Sequence, residues 1–411
     1  MAAENSLHQS PVNRGWTVTF AGLGINLALG VLYTWSVFKA KIEEGFGWDK
    51  SRLNDPYALC CLVFAFAMIA AGKCQDKLGP RITATIGGVL VGAGMILTST
   101  TQSYVVWMLG FGVLVGLGLG FGYSSATPPA LKWFPPSKTG LIAGLVVAGF
   151  GLASVYIAPT AAYLLGAYGV QRAMFIFGVA FVIIVCGLAQ LLVNPPDGYV
   201  AGDATRGGAM KPAARNWKPG EVIKTPAFWL LWFVYFIGAG AGLMVIGSVS
   251  GMAKKSMGSS AFIAVALLAI GNAGGRIAAG FLSDKIGRRA TLILVLLLQA
   301  VLMFIAIPVT GAKEGSAFMV VVLAMMIGAN YGANLSLFPS FAKDFWGLKN
   351  FGMNYGVLFT AWGVGGFVLP IIQQNLYTSS KSYNSSFITA GVLLIIGAVL
   401  CLGLKNRPVE S

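Results

Sequence analysis

One ten-residue pattern occurs twice in the chain, as GKCQDKLGPR at residues 72–81 and as GFLSDKIGRR at residues 280–289. Both copies follow the frame G-x3-D-K-x-G-x-R, and the second copy begins 208 residues after the first. The same offset carries GFGY, which ends at Tyr123, onto GANY, which ends at Tyr331. Because two separate matches share one offset, the sequence predicts an internal duplication.

The composition predicts that the duplicated chain lies in a membrane. Of its 411 residues, 56% are hydrophobic and only 10% are charged, whereas soluble domains carry about 25% charged residues. Apolar runs of about 20 residues, each long enough to cross a bilayer as a helix, recur along the whole length. We predict twelve spans, at residues 16–38, 56–72, 82–101, 104–128, 139–166, 171–193, 225–247, 260–283, 289–310, 315–338, 350–375 and 385–404.

The charge distribution predicts a membrane topology rather than nucleic-acid binding. The net charge is +15, but Lys and Arg are spread over short loops instead of forming one basic patch. Their excess over Asp and Glu is larger in the loops and tails on the side of the N-terminus, as the positive-inside rule requires of cytoplasmic segments. We expect a multi-pass protein of the cell (inner) membrane with both termini cytoplasmic. The first span is expected to be a retained helix rather than a signal peptide.

A long polar segment divides the spans six and six. It runs over residues 194–224, and its Pro, Gly and basic residues are typical of a linker. We predict an N-terminal six-helix bundle over residues 1–193, a cytoplasmic linker over 194–224 and a C-terminal six-helix bundle over 225–411. Equivalent spans in the two halves indicate parallel repeats about an axis along the membrane normal, with a binding site at the midplane between them.

The spans, the linker and the doubled loop resemble the major facilitator superfamily over residues 16–404. The resemblance implies an all-α membrane protein with twelve transmembrane helices in two pseudo-symmetric six-helix bundles. Glycines suit tight turns in both loops, and an Asp there suits helix capping and pairing with nearby basic groups. We expect a gating and structural role, rather than substrate contact, for Gly72, Asp76, Gly79, Arg81, Gly280, Asp284, Gly287, Arg288 and Arg289.

Arg276 is the one charged residue well inside a predicted span. An Arg at the centre of a membrane helix costs about 2.5–3.5 kcal/mol, and no acid lies inside a span to offset that cost, so we expect a mobile anion as its partner. Snorkelling to the inner surface is the alternative, although the glycines and alanines around Arg276 favour close helix packing inside the bundle. The offset of 208 places Met68 opposite Arg276, so only one half carries the cation.

Two narrower resemblances bear on the role of Arg276. The segment KWFPPSKTGLIAGLVVAGFG at residues 132–151 is similar to the fifth-span signature of monocarboxylate transporters. GVLYTW at residues 30–35 and NAGGR at residues 272–276 resemble the oxalate/formate antiporter family. In both families an eighth-span Arg binds the substrate carboxylate, which implies this role for Arg276.

Two departures from these families change the expected substrate and coupling. The oxalate carrier has a Lys in the eleventh span where this chain has Trp362, so a single fixed cation favours a monoanion over a dianion. Animal monocarboxylate transporters have an Asp one turn before the Arg, where this chain has Asn272. Their carboxylate-based proton step therefore cannot be carried over, and we expect Asn272 to orient the bound carboxylate.

Positions that match the aromatic cage of the oxalate carrier imply the rest of the site. Tyr123 and Tyr331 are symmetry mates, and we expect their hydroxyls to bond to the substrate because buried phenols need partners. The leucines and phenylalanines of the set suit the alkyl part of a small acid. The matching positions are Leu32, Tyr33, Tyr123, Phe150, Tyr331, Leu335, Phe359 and Trp362.

These features imply a secondary active transporter of small monocarboxylates, of the lactate or pyruvate type, working by proton symport and rocker-switch alternating access. The expected partners are the monocarboxylate anion, a proton and the lipid bilayer, and the protein is expected to act as a monomer. An anion/anion exchanger of the oxalate/formate type is the alternative, and a non-transporting sensor on the same fold is a further rival. No cofactor, metal or nucleic acid is expected. An enzyme is not expected either, because the spans hold no metal cluster or paired carboxylates.

Overall fold

The computed structural model describes residues 13–49, 52–196, 199, 215–246, 257, 262–311, 316–380 and 382–404. Within these ranges the chain folds into helices joined by short turns, and none of their residues belongs to a β-strand. The linker predicted at residues 194–224 lies largely outside the described residues.

The first half of the chain supplies six membrane helices, α1 to α6. Helix α1 joins a helix at Gly15–Leu29, a 3-10 segment at Gly30–Thr34 and a helix at Trp35–Gly45. Helix α2 is Asp55–Leu78, α3 is Pro80–Ser99, and α4 joins Tyr104–Trp107, a π-helical segment at Met108–Val115 and Gly116–Lys132. One continuous run, Thr139–Ala189, bends at Gly169, where φ is +75°, and supplies both α5 (139–168) and α6 (170–189).

The second half supplies α7 to α12. They are α7 at Pro226–Ile246, α8 at Phe262–Ile286, α9 at Arg288–Gly311, α10 at Ala317–Trp346, α11 at Phe351–Ser380 and α12 at Asn384–Leu402. Eleven segments of the described chain are long and apolar enough to cross a membrane, and one of them contains both α5 and α6. The predicted fold of twelve transmembrane helices is therefore confirmed.

Two seams join the halves, one between α2 and α11 and one between α5 and α8. In the first seam the backbones meet at Gly72 and Gly352, and in the second they meet at Gly140 and Gly280. A side chain at any of these glycines would overlap the backbone across the seam. The repeated loop glycines therefore serve close helix packing.

Each seam ends in a latch made by the aspartate of a repeated loop. The carboxylate of Asp76 accepts backbone hydrogen bonds of 3.0 Å from Gly352 and Met353 at the start of α11. The carboxylate of Asp284 accepts bonds of 2.8 and 2.9 Å from the N–H groups of residues 140–141 at the start of α5. Unpaired N–H groups and the positive end of the helix dipole favour a carboxylate there. The end of the molecule that carries these loops, here named the motif end, is thus closed.

The two loops turn at equivalent glycines. The φ angle is +83° at Gly79 and +91° at Gly287, a region that other residues rarely adopt. Each turn lets the next helix begin at once, α3 at Pro80 and α9 at Arg288. Arg81, one residue further on, is exposed.

The arginines of the second loop strengthen the contacts around it. Arg288 forms ion pairs of 2.6 Å with Asp284 and 2.9 Å with Asp344, and all three side chains are buried. Arg289 donates hydrogen bonds to the carbonyl oxygens of residues 401–402 at the end of α12. A cation is favoured at that end of a helix because of the helix dipole.

Replacing Gly280 with Ala is expected to destabilise the closed motif end. The new methyl group would overlap the carbonyl oxygen of Gly140, so α5 and α8 must separate, and overpacking of this kind costs about 1–3 kcal/mol. Thermal unfolding of the purified protein in detergent should show a lower midpoint. Gly274→Ala on the same helix is the matched control, because a methyl group there meets open space. Equal midpoints for the two variants would contradict this account of the seam.

Candidate functional site

Arg276 lies midway along α8, and its side chain has no exposed surface. Its Nε donates a 2.9 Å hydrogen bond to Oδ1 of Asn272, one turn earlier. Its Nη1 donates to the carbonyl oxygen of Val147 on α5. Its Nη2 is buried with no hydrogen-bond partner among the described residues, with which Arg276 forms no ion pair either. The guanidinium therefore has a fixed orientation, but one of its three nitrogens lacks a hydrogen bond.

The packing of α8 explains why this side chain stays inside the bundle. Gly271 and Gly275 face carbonyl oxygens of α10, and Gly144 of α5 faces the carbonyl oxygen of Arg276. Helix α8 is thus held between α10 of its own half and α5 of the other half. The side chain points toward the N-terminal end of α8, as its bond to Asn272 shows, and so away from the motif end. This arrangement does not agree with snorkelling to the surface.

The other half carries an apolar counterpart of this arrangement. In the seam between α2 and α11, the carbonyl oxygen of Met68 faces Gly356. In the seam between α5 and α8, the carbonyl oxygen of Arg276 faces Gly144. The packing therefore pairs the same two residues, Met68 and Arg276, that the sequence offset pairs. The two seams are thus equivalent in their packing, but only the seam between α5 and α8 carries a cation.

Hydrogen bonds join two of the predicted tyrosines and the predicted tryptophan. The hydroxyls of Tyr33 and Tyr331 are 3.0 Å apart, and Nε1 of Trp362 donates to the Tyr331 hydroxyl at 2.9 Å. Tyr33 comes from the 3-10 segment of α1, whereas Tyr331 and Trp362 come from α10 and α11, so the group bridges the two halves. Tyr331 is fully buried and Tyr33 is partly exposed. Arg276 interacts electrostatically with both phenols, and the Tyr33 hydroxyl lies near the guanidinium without forming a hydrogen bond of good geometry.

Predicted aromatic side chains pack around this group. The ring centroid of Phe150 lies 5.2 Å from that of Tyr33 and 5.6 Å from that of Tyr123. Phe359 stacks on Trp362 with the centroids 5.0 Å apart. The structure therefore places aromatic rings from α5 and α11 beside the hydrogen-bonded group.

Phe64 is absent from the predicted site, yet it belongs to the same aromatic group. Its ring centroid lies 5.2 Å from that of Phe359, 5.5 Å from that of Trp362 and 6.0 Å from that of Phe150. The sequence could have indicated Phe64, because the offset of 208 places it opposite Asn272, which is a residue predicted for the site.

The two predicted leucines are also buried. Leu32 precedes Tyr33 in the 3-10 segment of α1, and Leu335 lies one turn after Tyr331 on α10. Of the ten residues predicted for the site, nine are buried and Tyr33 is partly exposed. The set therefore lies in the interior, although the helices that carry it come from both halves.

The interior combines a buried cation with polar and aromatic side chains. One guanidinium nitrogen, Nη2 of Arg276, forms no hydrogen bond among the described residues, and phenol hydroxyls and aromatic rings lie around the guanidinium. In the part of the chain that the structure describes, no group of three His, Cys, Asp or Glu residues could hold a metal ion. Twelve membrane helices, two latches at one end and an enclosed polar site between the halves define a membrane transport protein.

The sequence matches the family model described as Major Facilitator Superfamily over residues 18–368, and again over residues 263–411. The chain belongs to this superfamily and is a transporter of that type.

Three curated relatives show how far the sequence similarity extends. The uncharacterized MFS-type transporter YhjX of Escherichia coli (strain K12) is 29% identical over 354 residues, which are 85% of each chain. The oxalate:formate antiporter of Oxalobacter formigenes is 28% identical over 413 residues, covering 97% of this chain and 94% of that protein. Human monocarboxylate transporter 11 is 23% identical over 408 residues, covering 95% and 83%.

Two solved structures share the fold. The transporter FucP, crystallised in the outward conformation, aligns with a TM-score of 0.68 at 14% identity, covering 93% of this chain and 97% of that chain. The human organic anion transporter MFSD10 aligns with a TM-score of 0.67 at 14% identity, covering 96% and 100%. At this identity the likeness supports the architecture alone.

Removing the hydroxyl of Tyr331 should destabilise the protein more than removing that of Tyr33. Tyr331→Phe deprives both the Trp362 indole and the Tyr33 hydroxyl of their partner, and the buried indole left unsatisfied costs about 1–3 kcal/mol. Tyr33→Phe leaves the bond from Trp362 to Tyr331 intact. Thermal unfolding of the purified variants measures the difference, and the double variant should lose little more than Tyr331→Phe alone. The exposed Tyr163→Phe is the control. Equal losses from the two single variants would rule out a shared hydroxyl.

Proposed function

We propose that this protein is a secondary active transporter of small monocarboxylates, of the lactate or pyruvate type, and that Arg276 binds the carboxylate. One observation carries the proposal: the Nη2 group of Arg276 is buried without a partner among the described residues. A buried charged donor needs an acceptor, and a carboxylate supplies one through a charge-assisted hydrogen bond. Relatives named for oxalate, formate and monocarboxylates support this class of substrate.

The charge of the site favours a monoanion. Trp362 stands where the oxalate carrier has a Lys, and its indole N–H already donates to Tyr331. Position 362 therefore offers neither a second cation nor a free indole donor to a second carboxylate. The rings of Phe150 and Phe359 suit the short apolar part of such an acid, as pockets combine apolar walls with a few polar groups.

Asn272 supports this role through the guanidinium. We expect it from sequence to orient the carboxylate, and the structure bonds its Oδ1 to Nε of Arg276. It therefore acts on the substrate through the cation. Because Asn272 is a neutral amide, it fixes Arg276 without cancelling the positive charge.

We further propose proton symport in which the proton travels with the substrate. Among the described acids, Asp55 bonds to Tyr104 at 2.6 Å and Asp76 and Asp284 form the latches. No described acid pairs with Arg276. The proton would therefore cross as part of the carboxylic acid, or on water beside the site.

The proposed cycle is a rocker-switch movement of two bundles, residues 1–193 and 225–411, joined by the linker at 194–224. The latches of Asp76 and Asp284 must break before the motif end opens. The positive-inside rule supports placing this end at the cytoplasm of the cell (inner) membrane, with both termini on the same side. One chain carries every proposed site residue, which supports a functional monomer.

Uptake of radiolabelled lactate into proteoliposomes tests this function. Uptake should increase when the outside is more acidic than the lumen, because protons would enter with the substrate. Arg276→Ala should reduce uptake by at least about tenfold, the equivalent of 1.4 kcal/mol of lost binding. Uptake that ignores the pH gradient would exclude symport. Uptake that requires an anion inside the vesicles would favour an anion/anion exchanger, which the similarity to the oxalate:formate antiporter supports.

Asn272→Asp should weaken lactate binding although the side chain keeps its size. The new carboxylate would lie against Nε of Arg276 in a buried site and supply the negative charge that the substrate is proposed to supply. We expect the lactate affinity of the purified protein, measured by thermal shift, to fall by at least about tenfold. Asn384→Asp, at an exposed position in the first turn of α12, is the control for the added charge. Unchanged affinity in Asn272→Asp would show that Arg276 does not meet the substrate.

A further inference from the structure

Three buried tyrosines on three different helices have hydroxyls that form no hydrogen bond of good geometry among the described residues. They are Tyr123 on α4, Tyr235 on α7 and Tyr355 on α11. Their exposed fractions are 3%, 0% and 4%. A buried phenol hydroxyl ordinarily forms a well-aligned hydrogen bond, so three hydroxyls that lack one need an explanation. Tyr235 and Tyr355 are not among the residues predicted for the site.

The three tyrosines converge on one ring. The centroid of Phe359 lies 5.5 Å from that of Tyr123, 6.2 Å from that of Tyr235 and 5.7 Å from that of Tyr355. The hydroxyl of Tyr355 also lies near those of both other tyrosines and interacts with them, so the polar groups nearest to the three hydroxyls include one another. These three residues, here named the phenol cluster, therefore form one group built from both halves of the protein.

Phe359 stands between the phenol cluster and the site around Arg276. On α11, Tyr355 lies one turn before Phe359, on the side of the motif end, and its side chain points further in that direction. Trp362, which bonds to Tyr331, lies three residues after Phe359 and stacks on it. Tyr123 interacts electrostatically with Arg276 and through its hydroxyl with Tyr355, so it is close to both groups. The phenol cluster thus continues the polar interior from Arg276 toward the motif end.

We propose that the phenol cluster is a second binding station for the carboxylate, occupied after the substrate leaves Arg276 and before it leaves at the motif end. Three O–H groups can donate to carboxylate oxygens but supply no positive charge. They hold an anion more weakly than a guanidinium does, because hydrogen bonds from charged donors are roughly twice as strong as neutral ones. Weak binding suits a station from which the substrate must be released. This inference rests on the proposed function, since its ligand is the monocarboxylate that Arg276 is proposed to bind.

Transfer between the two stations requires Phe359 to move. Its ring contacts all three tyrosines and also Trp362, so it separates the two groups of polar atoms. Tyr123 adjoins both groups and can keep one hydrogen bond to the carboxylate during the transfer. Removing the hydroxyls of Tyr235 and Tyr355 should therefore affect the passage of the substrate and not its first binding.

The variants Tyr235→Phe and Tyr355→Phe, singly and together, test the station because they remove hydroxyls and keep the rings. Lactate affinity of the purified protein should stay within about twofold of the wild-type value. Exchange of radiolabelled lactate between preloaded proteoliposomes and medium should slow by about tenfold in the double variant and about threefold in each single one. Tyr163→Phe, at an exposed position on α5, is the matched control and should change neither quantity.

Exchange at the wild-type rate in the phenylalanine variants would overturn the station and leave the cluster a structural role. A fall in affinity equal to the fall in exchange would also overturn it, because the hydroxyls would then belong to the Arg276 site. Should the double variant fail to fold, the single variants decide by the same two measurements. Failure of the wild-type protein itself to bind and exchange lactate is a distinct result, and it would overturn the proposed function.

Discussion

The rest of the structure depends on one constraint, the burial of the permanent positive charge of Arg276 in a low-dielectric interior. Arginine does not lose its charge in a protein, so Arg276 cannot escape the cost of burial by releasing a proton. Asn272 and Val147 satisfy Nε and Nη1, and Nη2 stays without a partner among the described residues. Any anion that binds there also stabilises the folded chain, because a ligand that binds only the native state shifts the unfolding equilibrium. The affinity for such an anion and the stability of the protein are therefore linked through one nitrogen atom.

The repeated loops and the single cation have different roles in the molecule. Both halves carry the same loop, and each loop caps a helix of the opposite half, so the two latches are nearly equivalent. At the level of the site the halves differ, because Met68 occupies one seam where Arg276 occupies the other. Duplication explains the scaffold and its seams. Substitutions within one copy explain the polarity of the site.

How much the sequence predicts depends on whether a feature is visible in a short stretch of chain. Hydropathy and turn glycines are local, so the twelve spans and the turns at Gly79 and Gly287 follow from sequence. Arg276 stands out because a charge is conspicuous in an apolar span. Phe64 and Tyr355 do not stand out, because an aromatic residue in a membrane span usually serves packing. Only the fold shows which of these rings meet.

Some partners have no sequence signal at all. The acceptor for Nη1 of Arg276 is the backbone carbonyl of Val147, and every residue offers such a group. Its place is set by α5, which Gly144 brings against the backbone of α8.

The hydrogen bonds of Arg276 also bear on how transport is coupled to a second ion. A symporter must reorient without cargo, whereas an obligatory exchanger need not. Asn272 moves with Arg276 because both lie on α8, and Val147 supplies an acceptor from the opposite half. Asn272 thus remains an acceptor that depends neither on the substrate nor on the position of the other half, which lowers the cost of moving the cation alone and supports symport over obligatory exchange.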